Sequence, residues 1–521
     1  MTIVLLQLLV LFAAFSCTSG DSSRPKVLIL GGGLAGLRVG QVLQQNGVRD
    51  FLILEADNKL GGRFLSYCLP DVPACVSDIN VEPSLPSPHP IRELFDKCNI
   101  AYAPEALATQ KAVDDSGNDV SAELNLTSQR LDRTYYDLFL NWKPEEDDMN
   151  VQGAYSLYGW HPRTTVELAL DVFYTDLLLA AKPSELSMHV YHNIMSASFD
   201  LFDGSIYLYN VRNSLNGNQD LVDCLTKSFL DETDVRVKLN TRVTQIQYSG
   251  SGVVVTTSDG KKYEADYTVV TFSLGVLQQE TVKFIPSPNY AKRKAINKFR
   301  MGYYTFAYSQ FPNKIDGSIA RSNQEPLHYI SVSSHRHVNH FFYEVFETIE
   351  EKMNHSQPYN LFLSWIAGDD ALRVETQEIN RTTEELTEMF QRFFGDSTPQ
   401  PKVFVSQANT NPLYYGAIPS FPSGATYEDY DKLREPLERV FFAGDAYYMT
   451  ESFNGATRAL YSGNETAIAL IKCMNGGSCA MRKYAATQPL QCPTSATSGS
   501  GHSLITIVLF TVTTVLVRTS M

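Results

Sequence analysis

The stretch "PKVLILGGGLAGLRVGQVLQQNGVRDFLILEAD", beginning at Pro25, constrains the fold more than any other part of the 521-residue chain. An apolar run suited to a buried parallel strand ends at Leu30, and Gly31, Gly33 and Gly36 follow with GxGxxG spacing. Gly31 permits a tight turn, Gly33 lets the backbone approach a pyrophosphate, and Gly36 lets the next helix pack closely on its strand. The helix N-terminus then offers free N–H groups and the positive end of its dipole to an anion. "FLILEA" from Phe51 reads as a second strand, closed by Glu55 at the distance where an acid accepts hydrogen bonds from a ribose. The spacing predicts a dinucleotide-binding βαβ unit.

Which dinucleotide is decided a few residues further on. "LGGR", Leu60 to Arg63, follows the second strand where flavoproteins place a GGR turn that NAD enzymes usually lack. Gly62 lets the backbone pass near the ligand, and Arg63 can pair with phosphate oxygens. Near the other end, the strand of "RVFFAGDAYY" runs into Gly444 and Asp445, and "ATRALYSGNETAIALIKC" reads as a helix. An acid there can hold a ribityl hydroxyl, while a helix starting beneath the isoalloxazine stabilises negative charge on reduced flavin. The paired turns predict FAD, held from both ends of the chain.

Together these segments resemble the flavin-containing amine oxidase superfamily, most closely its secreted polyamine oxidases, over nearly everything from Pro25 to Cys479. The resemblance implies an α/β fold: a discontinuous Rossmann-type FAD-binding domain (25–95, 205–290 and 430–480) with a second α+β substrate domain (96–204 and 291–429). It also implies that Val243, in the segment from Val235, contacts the adenine end through its backbone. Within that segment "GVVVTT" and "YTVVTF" around "SDGKK" read as a hairpin. "TTEELTEMFQRFFG" reads as an amphipathic helix with Leu386, Met389, Phe390 and Phe393 on one face.

The pocket departs from the family pattern. Phe306 occupies the position of a lysine that holds a water near flavin N5, with Lys298 and Lys314 as substitutes only in another backbone register. Asn409 stands where a tryptophan lies against the flavin, and Tyr414 or Tyr415 could fill that wall. Glu82 keeps an acid where polyamine oxidases bind substrate amines, but the second acid aligns with Leu178; Asp176 is near it in sequence. Tyr303, Tyr304, Tyr447, Tyr448 and Phe453 could form an aromatic cage for an ammonium group, and Tyr304 matches a family residue close to the substrate channel. The site residues expected are therefore Tyr304 for catalysis and Glu82 and Tyr414 for substrate.

The implied reaction is hydride transfer from the carbon beside a neutral amine to flavin N5, giving an imine that water hydrolyses, with dioxygen reoxidising the flavin to release hydrogen peroxide. No metal or nucleophilic triad is needed. Two other readings compete: a catalytically silent flavoprotein serving as a surface binding module, and an amino-acid oxidase gripping a carboxylate through Arg163, Arg300 or Arg458. A net charge of -14 argues against a nucleic-acid partner.

The ends speak to location. Ile3–Phe15 is apolar and followed by small residues to Gly20, as in a secretory signal peptide. A flexible stalk (481–503) leads to the apolar "LITIVLFTVTTVLV" within 504–521, too short for a comfortable span and suited to a lipid-anchor signal or a membrane tail. Sequons start at Asn125, Asn354, Asn380 and Asn464. Bridges are expected for Cys68–Cys75 and Cys473–Cys479, the latter spaced as in secreted family members; Cys224 reads as an inert buried thiol on a helical face.

Overall fold

A computed structural model describes residues 24–484 except for 65, 70–74, 78–89, 101, 107–108, 143–147, 193–206, 212–215, 232–233, 314, 316–327, 337–339, 345–359 and 449–454. Both chain ends, Glu82, Lys314, Asn354 and Phe453 lie outside the described residues, as does the side chain of Leu178. The chain divides into units Met1–Arg482 and Lys483–Met521, and all the secondary structure given below belongs to the first.

Strand β1 (Val27–Leu30), helix α1 (Leu34–Gln45) and strand β2 (Phe51–Leu54) form the opening unit. The sheet around them is wholly parallel, in the order Val440–Phe442, Tyr267–Val270, β1, β2, Val237–Lys238. A strand covered on both faces must be apolar throughout, and all four residues of β1 are fully buried. One core packs this sheet against α1, Pro90–Cys98, Asn218–Lys227 and the long helix Gly455–Met474. A Cβ on Gly463 would stand 2.5 Å from Ala35 O, so the last helix lies backbone to backbone on α1.

The predicted hairpin is wrong in its second strand. Gly252–Thr257 turns back through Ser258–Lys261 to pair with Lys262–Ala265. "YTVV", Tyr267–Val270, instead joins the parallel sheet beside β1. The reason is burial: Thr268, Val269 and Val270 are fully buried, whereas a hairpin on the surface needs alternation.

A second sheet has the order Lys402–Val405, Tyr304–Gln310, Leu361–Ala367, Phe341–Glu344, His328–Val332, Thr109–Asp114. Helices Asp369–Thr376 and Ile379–Phe394 cover one face, burying Leu386, Met389, Phe390 and Phe393 as the helical period requires. Tyr303, a predicted cage residue, packs on this core.

"LALDVFYTDLLLAAK" is helical but carries a π turn, Val172–Asp176, between Thr165–Asp171 and Leu177–Leu179. In an α-helix residues five apart point about 140° away from each other; the wider π turn brings them to one side. Asp171 and Asp176 are thereby aligned, and Arg336 binds both, Nη1 to Asp171 Oδ2 at 2.6 Å and Nη2 to Asp176 Oδ2. Asp176 is thus a buried member of an ion cluster and no substitute acid for an amine.

The two expected bridges are formed, and Cys224 is no free thiol: it joins Cys98 across 126 residues, Cα atoms 5.9 Å apart. The helix ending at Cys98 packs on the one carrying Cys224, a juxtaposition made by the tertiary fold. Among the described residues no helix is long and apolar enough to cross a membrane, and no cluster of metal-ligating side chains occurs.

Candidate active site

The two glycine turns near the N-terminus lie on one another. Gly61 N donates to Gly32 O at 2.9 Å, and a Cβ on Gly62 would stand 3.1 Å from Gly33 Cα. At Gly36 a Cβ would fall 2.0 Å from Gly31 O, so any side chain there would push α1 off β1. Gly33, the N-cap of α1, offers no side-chain acceptor, and the first turn holds no acidic residue. The helix therefore begins with N–H groups that its own side chains leave to an anion.

Glu55 ends β2 beside this turn. Its Oε2 accepts Gly32 N–H at 2.5 Å and its Oε1 accepts Asp57 N–H at 2.7 Å. Burial raises its pKa, and the N–H groups of Asp57 and Gly32 partly oppose that rise. Thr241 N–H donates to Glu55 O at 2.7 Å, which brings the chain leading to Val243 alongside the same strand end.

From the far end of the chain, Gly444 and Asp445 meet the GGR turn. Arg63 Nη2 lies 2.7 Å from Asp445 Oδ1, and Nη1 donates to Ala417 O at 2.7 Å. Both partners are largely buried, which makes the pair a strong tether compared with a surface one. The start of the last helix closes in too, since a Cβ on Gly455 would stand 3.6 Å from Asp445 Oδ2. Arg63, expected on phosphate, is here shared between a carboxylate and a carbonyl.

The second sheet meets this turn through tyrosines. Tyr308 lies 5.5 Å from the ring of Tyr67, just after the GGR turn, and Tyr414 OH donates to Gly62 O at 3.2 Å. Tyr304, Phe306 and Tyr308 alternate along one strand and so share that face. Tyr304 OH donates to Leu177 O at the end of the π-turn helix, and burial pushes its pKa far up. The phenol is a held donor whose ring neighbours Phe306.

Phe306 is fixed in register by reciprocal bonds, its N–H to Ser406 Oγ and Ser406 N–H to its O, both 2.9 Å. Lys298 belongs to another region, its Nζ near Gly424. Asn409, in the family's tryptophan position, is buried, and its amide nitrogen lies within hydrogen-bonding distance of Tyr304 O (2.8 Å), Thr305 Oγ1 (3.0 Å) and Glu375 Oε1 (2.6 Å). Tyr447 is buried beside Phe442, and Tyr448 stacks on Tyr461 at 4.8 Å. Of the candidate arginines, Arg163 and Arg300 are exposed, Arg300 facing Glu185 at 3.5 Å, while Arg458 is buried over the Phe421 ring.

Three residues escaped sequence reasoning. Glu375 accepts hydrogen bonds from Thr305, Ala408, Asn409 and Thr410, Arg336 neutralises the π-turn acids, and Trp365 lies beside Phe306. The near-continuous apolar run "LFLSWIA" marks a buried strand without singling out Trp365; the other two depend on contacts far along the chain.

An uncapped helix start, two interlocked glycine turns, a buried strand-end acid and an Arg–Asp tether are a dinucleotide cradle, and they fit FAD. The fold and cradle define a Rossmann-type flavoprotein. Residues 34–471 match the family of flavin containing amine oxidoreductases, and the chain belongs to it. It is 27% identical over 496 residues to Polyamine oxidase 6 of Oryza sativa subsp. japonica, across 88% of this chain and 93% of that one. With Polyamine oxidase 1 of Zea mays it shares 26% over 494 residues, covering 87% and 92%. The solved cyclohexylamine oxidase from Brevibacterium oxydans IH-35A has the same fold, with a TM-score of 0.67 at 16% identity over 87% of this chain and 100% of that one. FAD is the cofactor, and the protein is an FAD-dependent amine oxidoreductase.

Proposed function

We propose that the protein converts a primary or secondary amine, dioxygen and water into a carbonyl compound, the released ammonia or amine, and hydrogen peroxide, in the manner its polyamine oxidase relatives suggest. The observation that carries this reading is the approach of one sheet face to the GGR turn, Tyr308 to Tyr67 at 5.5 Å. Bound FAD supplies the two-electron redox chemistry. The chain's own part is to hold and orient. Gly31, Gly33, Gly36 and Gly62 admit the dinucleotide backbone, Glu55 accepts from the ribose, Val243 borders the adenine end, and Gly444, Arg63 and Asp445 secure the flavin half. Tyr304 and Tyr414 border the substrate with their rings, and Glu82 attracts the incoming ammonium before it loses its proton.

In this reading 25–95, 205–290 and 430–480 make the FAD-binding domain and 96–204 with 291–429 the substrate domain; strands of one parallel sheet drawn from all three former stretches support it. The three disulfides support an oxidising compartment, hence a secreted route with the chain held at the cell surface by a C-terminal lipid anchor or tail. The test is the absorbance of the purified holoenzyme under anaerobic amine addition. Bleaching by an amine, and peroxide on readmitting air, is expected. A flavin that stays oxidised with polyamines and monoamines alike overturns the proposal.

A further inference from the structure

Asp171 and Asp176 stand five residues apart in "LALDVFYTD". An ordinary α turn would send their carboxylates to different sides of the helix, about 140° apart. The π turn Val172–Asp176 brings them to one side, their side chains only 5% and 3% exposed. Two carboxylates buried together repel each other and are costly to desolvate, so this turn needs a cation between them. Arg336 supplies it as a fork: Nη1 to Asp171 Oδ2 at 2.6 Å, Nη2 to Asp176 Oδ2, and Nε to Asp176 Oδ1 at 3.2 Å. Thr175 Oγ1 adds a bond to Asp176 Oδ2 at 2.9 Å. A planar guanidinium can hold both partners in fixed directions, which a point charge cannot.

The residues after the π turn are docked by the register it sets. Leu177 O accepts the Tyr304 hydroxyl. Ala180 ends the helix in the left-handed region, φ 53°, and a Cβ on Gly302 would collide with Ala180 O. The helix end thus lies backbone to backbone on strand Arg300–Gly302 and is pinned by the phenol two residues further on. Gly302 O in turn accepts Ala417 N–H at 3.1 Å, and Ala417 O accepts Arg63 of the GGR turn at 2.7 Å. With an α turn in place of the π turn, Leu177 to Ala180 would rotate by about 100° and shift by about 1.5 Å along the axis. Neither the phenol nor Gly302 would then meet its partner.

We infer that Arg336 is a positioning residue of the reaction: its grip on Asp171 and Asp176 keeps the π turn, and the π turn keeps the Tyr304 ring set against the amine. This rests on the amine-oxidation reading above. Arg336 acts through Leu177 and Tyr304 and touches no substrate itself.

The test is a double-mutant cycle on the holoenzyme with Arg336→Met, Tyr304→Phe and both together, using spermine and benzylamine as probes. Calorimetric affinity and the saturating rate of anaerobic flavin bleaching are measured, and the flavin spectrum reports integrity. Arg336→Lys, which keeps the charge and loses the fork, serves where methionine impairs folding. Arg336→Met is expected to weaken amine affinity about tenfold, with the saturating rate changed less than about threefold. In the Tyr304→Phe background the same substitution should cost less than about twofold, because residues acting in series do not add. A loss of equal size in both backgrounds overturns the inference, as does wild-type affinity in both folded Arg336 variants. Hydrogen exchange of the amides of 177–182 and 300–304 is followed in parallel and should quicken about tenfold in Arg336→Met. If neither amine binds or bleaches the wild type, the amine-oxidation reading fails, and the exchange result decides the π-turn linkage alone: quickening in both segments upholds it and unchanged exchange overturns it.

Discussion

Replacing Glu375 with glutamine should loosen the loop that joins the two halves of the site. The carboxylate, nearly buried on helix Asp369–Thr376, accepts Thr305 Oγ1–H at 2.7 Å, Asn409 Nδ2–H at 2.6 Å and Ala408 N–H at 3.2 Å on Oε1. On Oε2 it accepts Asn409 N–H at 3.1 Å, Thr410 N–H at 2.9 Å and Thr410 Oγ1–H at 3.0 Å. An amide of the same shape exchanges one acceptor for a donor, so whichever oxygen is lost, three donors face N–H instead. A buried donor left unpaired costs about 1–3 kcal/mol; with the hydroxyls free to rotate away, about 3–5 kcal/mol is expected in all. The same loop supplies Tyr414, bonded to Gly62, and Ala417, bonded to Arg63, so the loss reaches the flavin turn. Glu375→Gln should therefore lower the denaturant midpoint and release flavin faster on dialysis, both measured against wild type. An unfolding free energy within about 0.5 kcal/mol of wild type, the range of ordinary surface substitutions, together with unchanged flavin retention, would refute the reasoning.

Removing the long disulfide as Cys98→Ser with Cys224→Ser should cost about 5 kcal/mol, because in the chain-entropy account its 126-residue loop restrains the unfolded chain far more than the 6-residue separation of Cys473–Cys479, worth about 2; a smaller thermal shift than that from the Cys473–Cys479 pair would count against it. For Glu55 the sign follows from burial. Its raised pKa means that protonation favours the empty folded protein, a contribution lost as pH rises through the folded value, whereas ribose hydroxyls donate to the carboxylate. FAD affinity of the apoprotein should thus fall as the medium is acidified through that raised value, and Glu55→Gln should flatten the dependence in a fluorescence titration.

What could be read along the chain was whatever is decided by neighbours in sequence. The GxGxxG turn, the strand ending in Glu55, the GGR turn and the apolar run into Gly444 each carry their geometry in a few adjacent residues, so they named the cofactor before any coordinate. The amphipathic helix around Leu386 and the two short-range disulfides were legible for the same reason. The hairpin misreading shows the limit. "KYEA" and "YTVV" both suit a strand, and only the covering of Thr268–Val270 on two sides assigns the second to the parallel sheet.

The substrate side was decided by contacts between distant segments. What anchors Asn409 was not legible because the sequence holds no sign of Glu375 lying against it; Asp176 read as a spare acid because nothing local announces a π turn or the approach of Arg336. Cys224 read as inert because Cys98 is brought to it by helix packing. A sequence pattern records the torsional and amphipathic preferences of a short stretch, which the backbone obeys locally. Which polar group pairs with which depends on long-range burial, where an unpaired charge or donor is costly enough to redirect a side chain from the role its position suggests.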